Sequence, residues 1–155
     1  MQMEICKIFT FESSHILPKH PGRCSRLHGH SWKLTVYVKG EVDKETGFVM
    51  DYADIKRIMS PIVDGLDHRH LGQWPATYDG KWLTMACKEW GVGFLPGDFY
   101  PSSENLIVAI ANEIDPDRLT WSKLELDETC TSKCILTRED YEIEARRGRE
   151  GSKNS

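Results

Sequence analysis

The chain has 155 residues, a formal net charge of −4, and 28% charged against 39% hydrophobic residues. This describes one globular domain that buries about two thirds of its unfolded surface and needs neither a disulfide frame nor a metal to fold. The longest apolar run, Leu106 to Ala111, falls far short of the roughly 20 residues of a membrane helix, and no basic-then-apolar leader is recognisable, so the expected address is the cytoplasm, with no membrane partner. The mild acidity gives no broad footprint for nucleic acid, and five cysteines without framework spacing argue against a secreted disulfide scaffold.

Met3 to Phe11 mixes β-branched, aromatic and polar residues and reads as a strand that Thr10 to His15 carries onward. After a loop with Pro18, Pro21 and Gly22, residues Trp32, Leu34, Val36 and Val38 alternate with polar ones at period two, a half-buried strand. Glu41 to Gly47 is a polar turn. Asp51 is a helix N-cap with Asp54 as a capping-box-like partner, and Ile55, Ile58, Met59, Ile62, Val63 and Leu66 follow at helical spacing. Pro61 lies inside that stripe, which predicts a kink or a helix in two pieces. Gln73 to Tyr100 is irregular and rich in Gly and Trp, with one short helix expected around Leu83 to Trp90. Pro101 and Ser102 open a second helix, closed by Asp115-Pro116. Leu124 and Leu126 alternate with Lys123, Glu125 and Asp127 as a third strand, and Cys134 to Thr137, extended toward Ile143, makes a fourth. The order is strand, strand, helix, helix, strand, strand (ββααββ). It predicts an α+β domain over residues 1–145, an antiparallel four-stranded sheet with two helices on one face. Residues 146–155 carry four basic residues against one acid and are expected to be a disordered tail.

All six histidines lie between His15 and His70. If the second strand begins without a bulge, His28 and His30 point to one side of the sheet. If the first two strands pair antiparallel, His15 lies beside them. A lone histidine here is ordinarily a solvated loop residue, but three converging imidazoles suit zinc and leave a fourth position for water or substrate. Asp67 next to His68 can fix that ring's tautomer and make a base matched to neutral pH; alone, the pair equally fits a helix C-terminal histidine interacting with the dipole. Cys24 is a candidate thiolate nucleophile or proton acceptor. Cys6, Cys87, Cys130 and Cys134 read as packing cysteines. Glu128 has the parity of Leu124 and Leu126, so a continuous strand puts its carboxylate on the apolar face, where it needs a buried arginine or a ligand with two adjacent N–H donors. Glu104 sits in a helix's first turn, where the dipole already favours an acid.

Phe11-Glu12-Ser13-Ser14-His15, Cys24-Ser25-Arg26-Leu27-His28-Gly29-His30, Leu66-Asp67-His68, Pro101 to Leu106 and Glu128-Thr129-Cys130-Thr131 together resemble, in order and interval, the 6-pyruvoyl-tetrahydropterin synthase family. The likeness is strongest to its bacterial 6-carboxy-tetrahydropterin synthase branch. The resemblance implies a T-fold whose strands close a barrel of three subunits, two trimers stacking into a homohexamer with active sites between subunits. It implies a Zn2+ ion on His15, His28 and His30, Cys24 as general base working with the Asp67 and His68 dyad, and Glu128 as anchor of the pterin ring. Ser103, Glu104 and Thr129 are implied as further substrate contacts. The implied activity is that of a lyase on 7,8-dihydroneopterin triphosphate, in queuosine or 7-deazapurine biosynthesis. The pyruvoyl-forming reaction is the nearest alternative, and a non-catalytic zinc- or pterin-binding T-fold protein a third. Three departures stand out: Ser13-Ser14 replaces small alanines, Gly72 stands where asparagine is common, and Gln73 to Tyr100 is longer than the usual link.

Overall fold

Two strands of 14 residues dominate the chain, β1 (Gln2–His15) and β2 (His28–Glu41). They pair antiparallel without interruption from Gln2 opposite Glu41 to His15 opposite His28. The computed structural model describes residues 1–72 and 99–151, with side chains up to residue 147. The remaining elements are α1 (Tyr52–Asp64), β3 (Arg69–Leu71), α2 (Ser103–Glu113), β4 (Lys123–Thr129), β5 (Ser132–Thr137) and α3 (Arg138–Gly151). The expected short helix at Leu83 to Trp90, Cys87 and most of the irregular segment fall outside the described residues.

The sheet order is β3-β1-β2-β4-β5. Four strands are the expected antiparallel set; the fifth, β3, runs parallel to β1 opposite Ser13 to His15. Three residues are too few to display a period-two pattern, so β3 is invisible to periodicity. The alternation in β2 and β4 holds: Trp32, Leu34, Val36, Val38, Leu124 and Leu126 are buried. They share one core with Ile55, Ile58, Met59 and Val63 of α1 and Leu106, Ile107, Ile110 and Ala111 of α2. The ring of Trp32 stacks on Phe11 with centroids 6.0 Å apart. On the opposite face, Lys33 and Lys133 pair with Asp127, and Lys123 and Lys133 pair with Glu125.

Asp51 caps α1 by accepting from the Ala53 N–H at 2.8 Å. Asp54 does not complete a capping box, because its carboxylate pairs with Arg57 at 2.8 Å instead. Nor does Pro61 divide the helix. It sits in the last turn, where its lost hydrogen bond and ring clash fall near a helix end that Gly65 closes by donating to the Pro61 carbonyl. The strand expected to reach Ile143 ends at Thr137, and α3 continues through residues 146 to 151, into the stretch expected to be disordered. Thr137 starts this helix by accepting from the Asp140 N–H at 3.2 Å, and Glu139 and Asp140 complement the dipole in its first turn. The Arg138–Glu142 pair at 2.7 Å then ties successive turns.

Gly72 ends β3 with φ +83°, and a Cβ there would stand 2.7 Å from the Phe99 carbonyl oxygen and 2.9 Å from the Pro101 ring. Asparagine tolerates that dihedral, but this close approach excludes any side chain. Gly72→Ala is therefore expected to destabilise the fold by roughly 1–3 kcal/mol, read as a fall of several degrees in Tm by thermal unfolding.

Candidate metal centre and active site

The uninterrupted β1–β2 register decides where the histidines stand. His15 lies directly opposite His28, and His30 is opposite Ser13. With period two, all three imidazoles project to the core face at the loop end of the hairpin. Their ring nitrogens lie within 4.8 Å of one another. His15 is fully buried, and its ring lies edge-on to Trp32 at 5.4 Å, as does that of His30.

Backbone carbonyls orient two of the rings. His15 Nδ1 donates to the Pro101 carbonyl at 2.7 Å, and His28 Nδ1 donates to the Arg26 carbonyl at 2.7 Å. With the proton on Nδ1, each neutral ring presents a bare Nε2, and these two atoms are 3.0 Å apart. His30 Nε2 is buried with no hydrogen-bond partner. Burial lowers the His15 pKa from 6.5 to about 4, outweighing the Pro101 hydrogen bond that raises it, and burial likewise lowers that of His30. Burial thus disfavours a proton on the His15 Nε2 that faces His28. Two lone pairs at 3.0 Å repel unless a cation lies between them, so the donor set fits a metal ion. The carbonyls of Pro101 and Arg26 are the outer partners that fix such ligands in place.

Glu128 reaches the same cluster. A register shift between Asp127 and Thr129 leaves it without a partner in β5, and bulges of this kind re-aim side chains at sites. Its Oε1 lies 3.5 Å from His15 Nε2 and 3.7 Å from His30 Nε2. The carboxylate thus faces neither a buried arginine nor open solvent but the histidines. Thr129 ends β4 opposite Ser132, and its hydroxyl accepts from the Thr131 N–H at 3.3 Å.

Asp67 and His68 form a second group on the other edge of β1. Asp67 Oδ1 accepts from the Glu12 N–H at 2.8 Å, and Oδ2 pairs with His68 Nδ1 at 2.9 Å. These bonds hold the Asp67 carboxyl below its usual range, the Glu12 N–H contributing most. His68 has φ 54°, uncommon for a residue with a side chain, and that side chain is 81% exposed. Its backbone N–H donates to the Glu12 carbonyl at 2.7 Å. Glu12 and His15 are three residues apart on one strand, so the dyad's anchor and the metal centre are separated by roughly 10 Å along β1.

Two residues of this clamp escape sequence reading. Ser13 donates to the Leu66 carbonyl, and Ser14 Oγ bonds His70 Nδ1 at 3.0 Å. Both fasten the turn that carries Asp67 and His68 to the strand that carries His15. The signal was present as the replacement of alanine by serine at both positions, but only the parallel pairing of β3 reveals what the hydroxyls meet. Pro101 and Arg26 act through backbone atoms, which no residue pattern marks.

Cys24 lies half-buried in a short 3-10 turn, Arg23–Ser25, within the loop joining His15 to His28. Its carbonyl accepts from the Leu17 N–H at 2.9 Å, bracing that loop. Ser102 caps α2 as expected, leaving Ser103 to bond the exposed Glu104 at 3.3 Å. No described contact joins Ser103 or Glu104 to the histidines. Cys134 donates to the Ser103 carbonyl, and burial pushes its thiol up to about 11, an inert packing cysteine as expected. Cys6 and Cys130, expected to pack, are exposed instead. Cys6 falls on the sheet face opposite the helices, and Cys130 lies in a hairpin turn, so neither has a core to enter.

Comparison with known proteins gives this geometry a context. The model of the 6-pyruvoyl tetrahydropterin synthase family matches residues 4–139. A 6-carboxy-5,6,7,8-tetrahydropterin synthase from Haemophilus influenzae is 31% identical over 140 residues, which cover 84% of this chain and 96% of that protein. A protein of the same name from Synechocystis sp. is 46% identical over 72 residues, covering 43% of this chain and 56% of its own length. The structure of Caenorhabditis elegans 6-pyruvoyl tetrahydropterin synthase superposes with a TM-score of 0.65 at 21% identity, covering 88% of this chain and 96% of that one. This establishes the T-fold, here with five strands in its sheet. The matched span takes in the three histidines, Cys24, the Asp67–His68 dyad and Glu128, and the chain belongs to the 6-pyruvoyl tetrahydropterin synthase family.

Proposed function

We propose that the protein is a zinc-dependent lyase that converts 7,8-dihydroneopterin triphosphate to 6-carboxy-5,6,7,8-tetrahydropterin, releasing acetaldehyde and triphosphate. The observation that carries this reading is the convergence of three pre-oriented imidazoles within 4.8 Å, beside an acid, in a chain that also builds an exposed Asp67–His68 dyad. Zinc as the ion follows from three nitrogen donors, and when bound it supplies positive charge that acidifies C–H bonds beside the substrate's side-chain hydroxyls.

The chain's own groups divide the remaining work. The Glu128 carboxylate accepts the paired N–H donors of the pterin ring and fixes its orientation. Cys24 Sγ takes the side-chain proton. His68 Nδ1 is held by Asp67, so its Nε2 is free to receive or deliver a proton on the other face. Triphosphate departs, the side chain is cleaved with the uptake of one water, and the ring and side chain rearrange without a redox cofactor. The product then serves queuosine or 7-deazapurine synthesis. Lys19, Arg23 and Arg26 read as solvated loop cations, with the triphosphate as the alternative partner.

Assembly completes the site in this reading. β3 covers only Ser13 to His15, which leaves the rest of that edge of β1 unpaired among the described residues, as is the outer edge of β5. Unpaired edges seek strands, and joining them closes a barrel of three subunits, two of which stack as a hexamer. The exposed His68 then works in a site shared with a neighbouring subunit. No helix among the described residues is long and apolar enough to cross a membrane, which agrees with a cytoplasmic address.

Incubation with 7,8-dihydroneopterin triphosphate, followed by mass spectrometry of the products, tests the reaction. Acetaldehyde with the carboxy product supports it, a pyruvoyl product assigns the other branch, and zinc-loaded protein without turnover leaves a binding protein. Cys24→Ala should lower turnover at least about a hundredfold with zinc content unchanged by metal analysis; loss of zinc would make Cys24 a ligand. His28→Ala should strip the metal, and a full complement in that variant would overturn the three-histidine site.

A further inference from the structure

Glu128 stands closer to the histidines than the anchoring of a ring requires. His15 and His28 direct bare Nε2 lone pairs at one point, because their Nδ1 protons are bonded to the carbonyls of Pro101 and Arg26. A carboxylate oxygen is an acceptor too. Glu128 Oε1 nevertheless lies 3.5 Å from His15 Nε2 and 3.7 Å from His30 Nε2, while His15 Nε2 and His28 Nε2 are 3.0 Å apart. The two bare Nε2 atoms and the carboxylate oxygen are all acceptors, an arrangement that a shared cation makes favourable. The carboxylate is near enough to join the three histidine nitrogens: donors placed about 2.0–2.2 Å from a tetrahedral ion stand roughly 3.3–3.6 Å from one another, and Oε1 stands 3.5 Å and 3.7 Å from two of the three. The bulge at the end of β4 supplies the reach, since the residue it frees from the β4–β5 ladder is Glu128 itself.

We propose that Glu128 is the fourth ligand of the metal in the substrate-free protein, and that it leaves the metal when its carboxylate takes up the pterin ring. Three histidines and a carboxylate form a closed site of reduced charge. Three histidines alone form an open one that keeps the full charge of the ion. Pairing with two adjacent ring N–H donors engages both oxygens of the carboxylate and turns it toward the ring, in competition with the ion, so the arrival of the ring opens the fourth position. The coordination site is then exposed only when a pterin occupies the pocket. This inference rests on the three-histidine metal site and on Glu128 as ring anchor, and is independent of which product the enzyme releases.

Co2+ substitution reads the ligand set directly, because the visible absorption of a bound cobalt ion follows its coordination. In the full chain, Glu128→Gln should change the cobalt spectrum and weaken cobalt binding at least about tenfold, since loss of an outer-shell partner alone costs that much. Unsubstituted pterin should shift the spectrum of the unaltered protein and leave that of Glu128→Gln unmoved. Identical spectra and affinities for the two proteins, with metal lost in His28→Ala, would overturn the fourth ligand and leave the three-histidine site standing. Full cobalt binding by His28→Ala would instead refute the metal site, and with it this inference. Pterin that binds the unaltered protein without shifting its spectrum would overturn the exchange.

Discussion

Fourteen consecutive pairings between β1 and β2, without a bulge, set the position of every group at the candidate metal centre. A slip of one residue would turn His28 and His30 to the opposite face of the sheet and leave His15 alone in the core. The register is secured by the residues of β2 that follow the site. Trp32, Leu34, Val36 and Val38 have a core to enter on one face only, so the apolar pattern locks the same alignment that gathers the imidazoles. Trp32 links the two roles, stacking on Phe11 in the core and meeting His15 and His30 edge-on.

Around that register the chain uses backbone atoms to hold chemical groups. The start of α2 contributes the Pro101 carbonyl to His15, and the loop before β2 contributes the Arg26 carbonyl to His28. Glu12 contributes both its N–H and its carbonyl to the Asp67–His68 turn. β1 is therefore flanked by the metal centre on its β2 side and by the dyad on its β3 side, one strand setting both. The hydroxyls of Ser13 and Ser14 reinforce the second attachment. The left-handed conformation of His68 is sustained by the bonds of Glu12 and Asp67 to this turn.

Much of this was legible beforehand. Period-two alternation marked β2 and β4, helical stripes marked α1 and α2, and Asp51 and Ser102 marked their starts. The spacing of His28 and His30 already placed two rings on one face, and antiparallel pairing added His15. What escaped was either short or contextual. β3 is three residues long, and α3 begins where the last strand is expected to run on toward Ile143 and ends within the expected tail, its cap at Thr137 being the overlooked cue. Cys6 and Cys130 resemble packing residues by type alone, while their exposure depends on which face of the sheet, and which turn, they occupy.

The sequence by itself determined the residue types and their order: three imidazoles, a thiol in the loop between them, an Asp-His pair and an acid after an apolar alternation. Those follow from local periodicity, which acts over a few residues and is written in the chain. Only the tertiary structure decided which atoms face one another. The Glu128 carboxylate turns toward the histidines because of a register shift in β4, and Pro101 comes from 86 residues away to fix the ring of His15. Such contacts are set by how strands and helices pack together, and the hydrogen-bonding atoms of the backbone carry no residue code, so no pattern along the chain announces them.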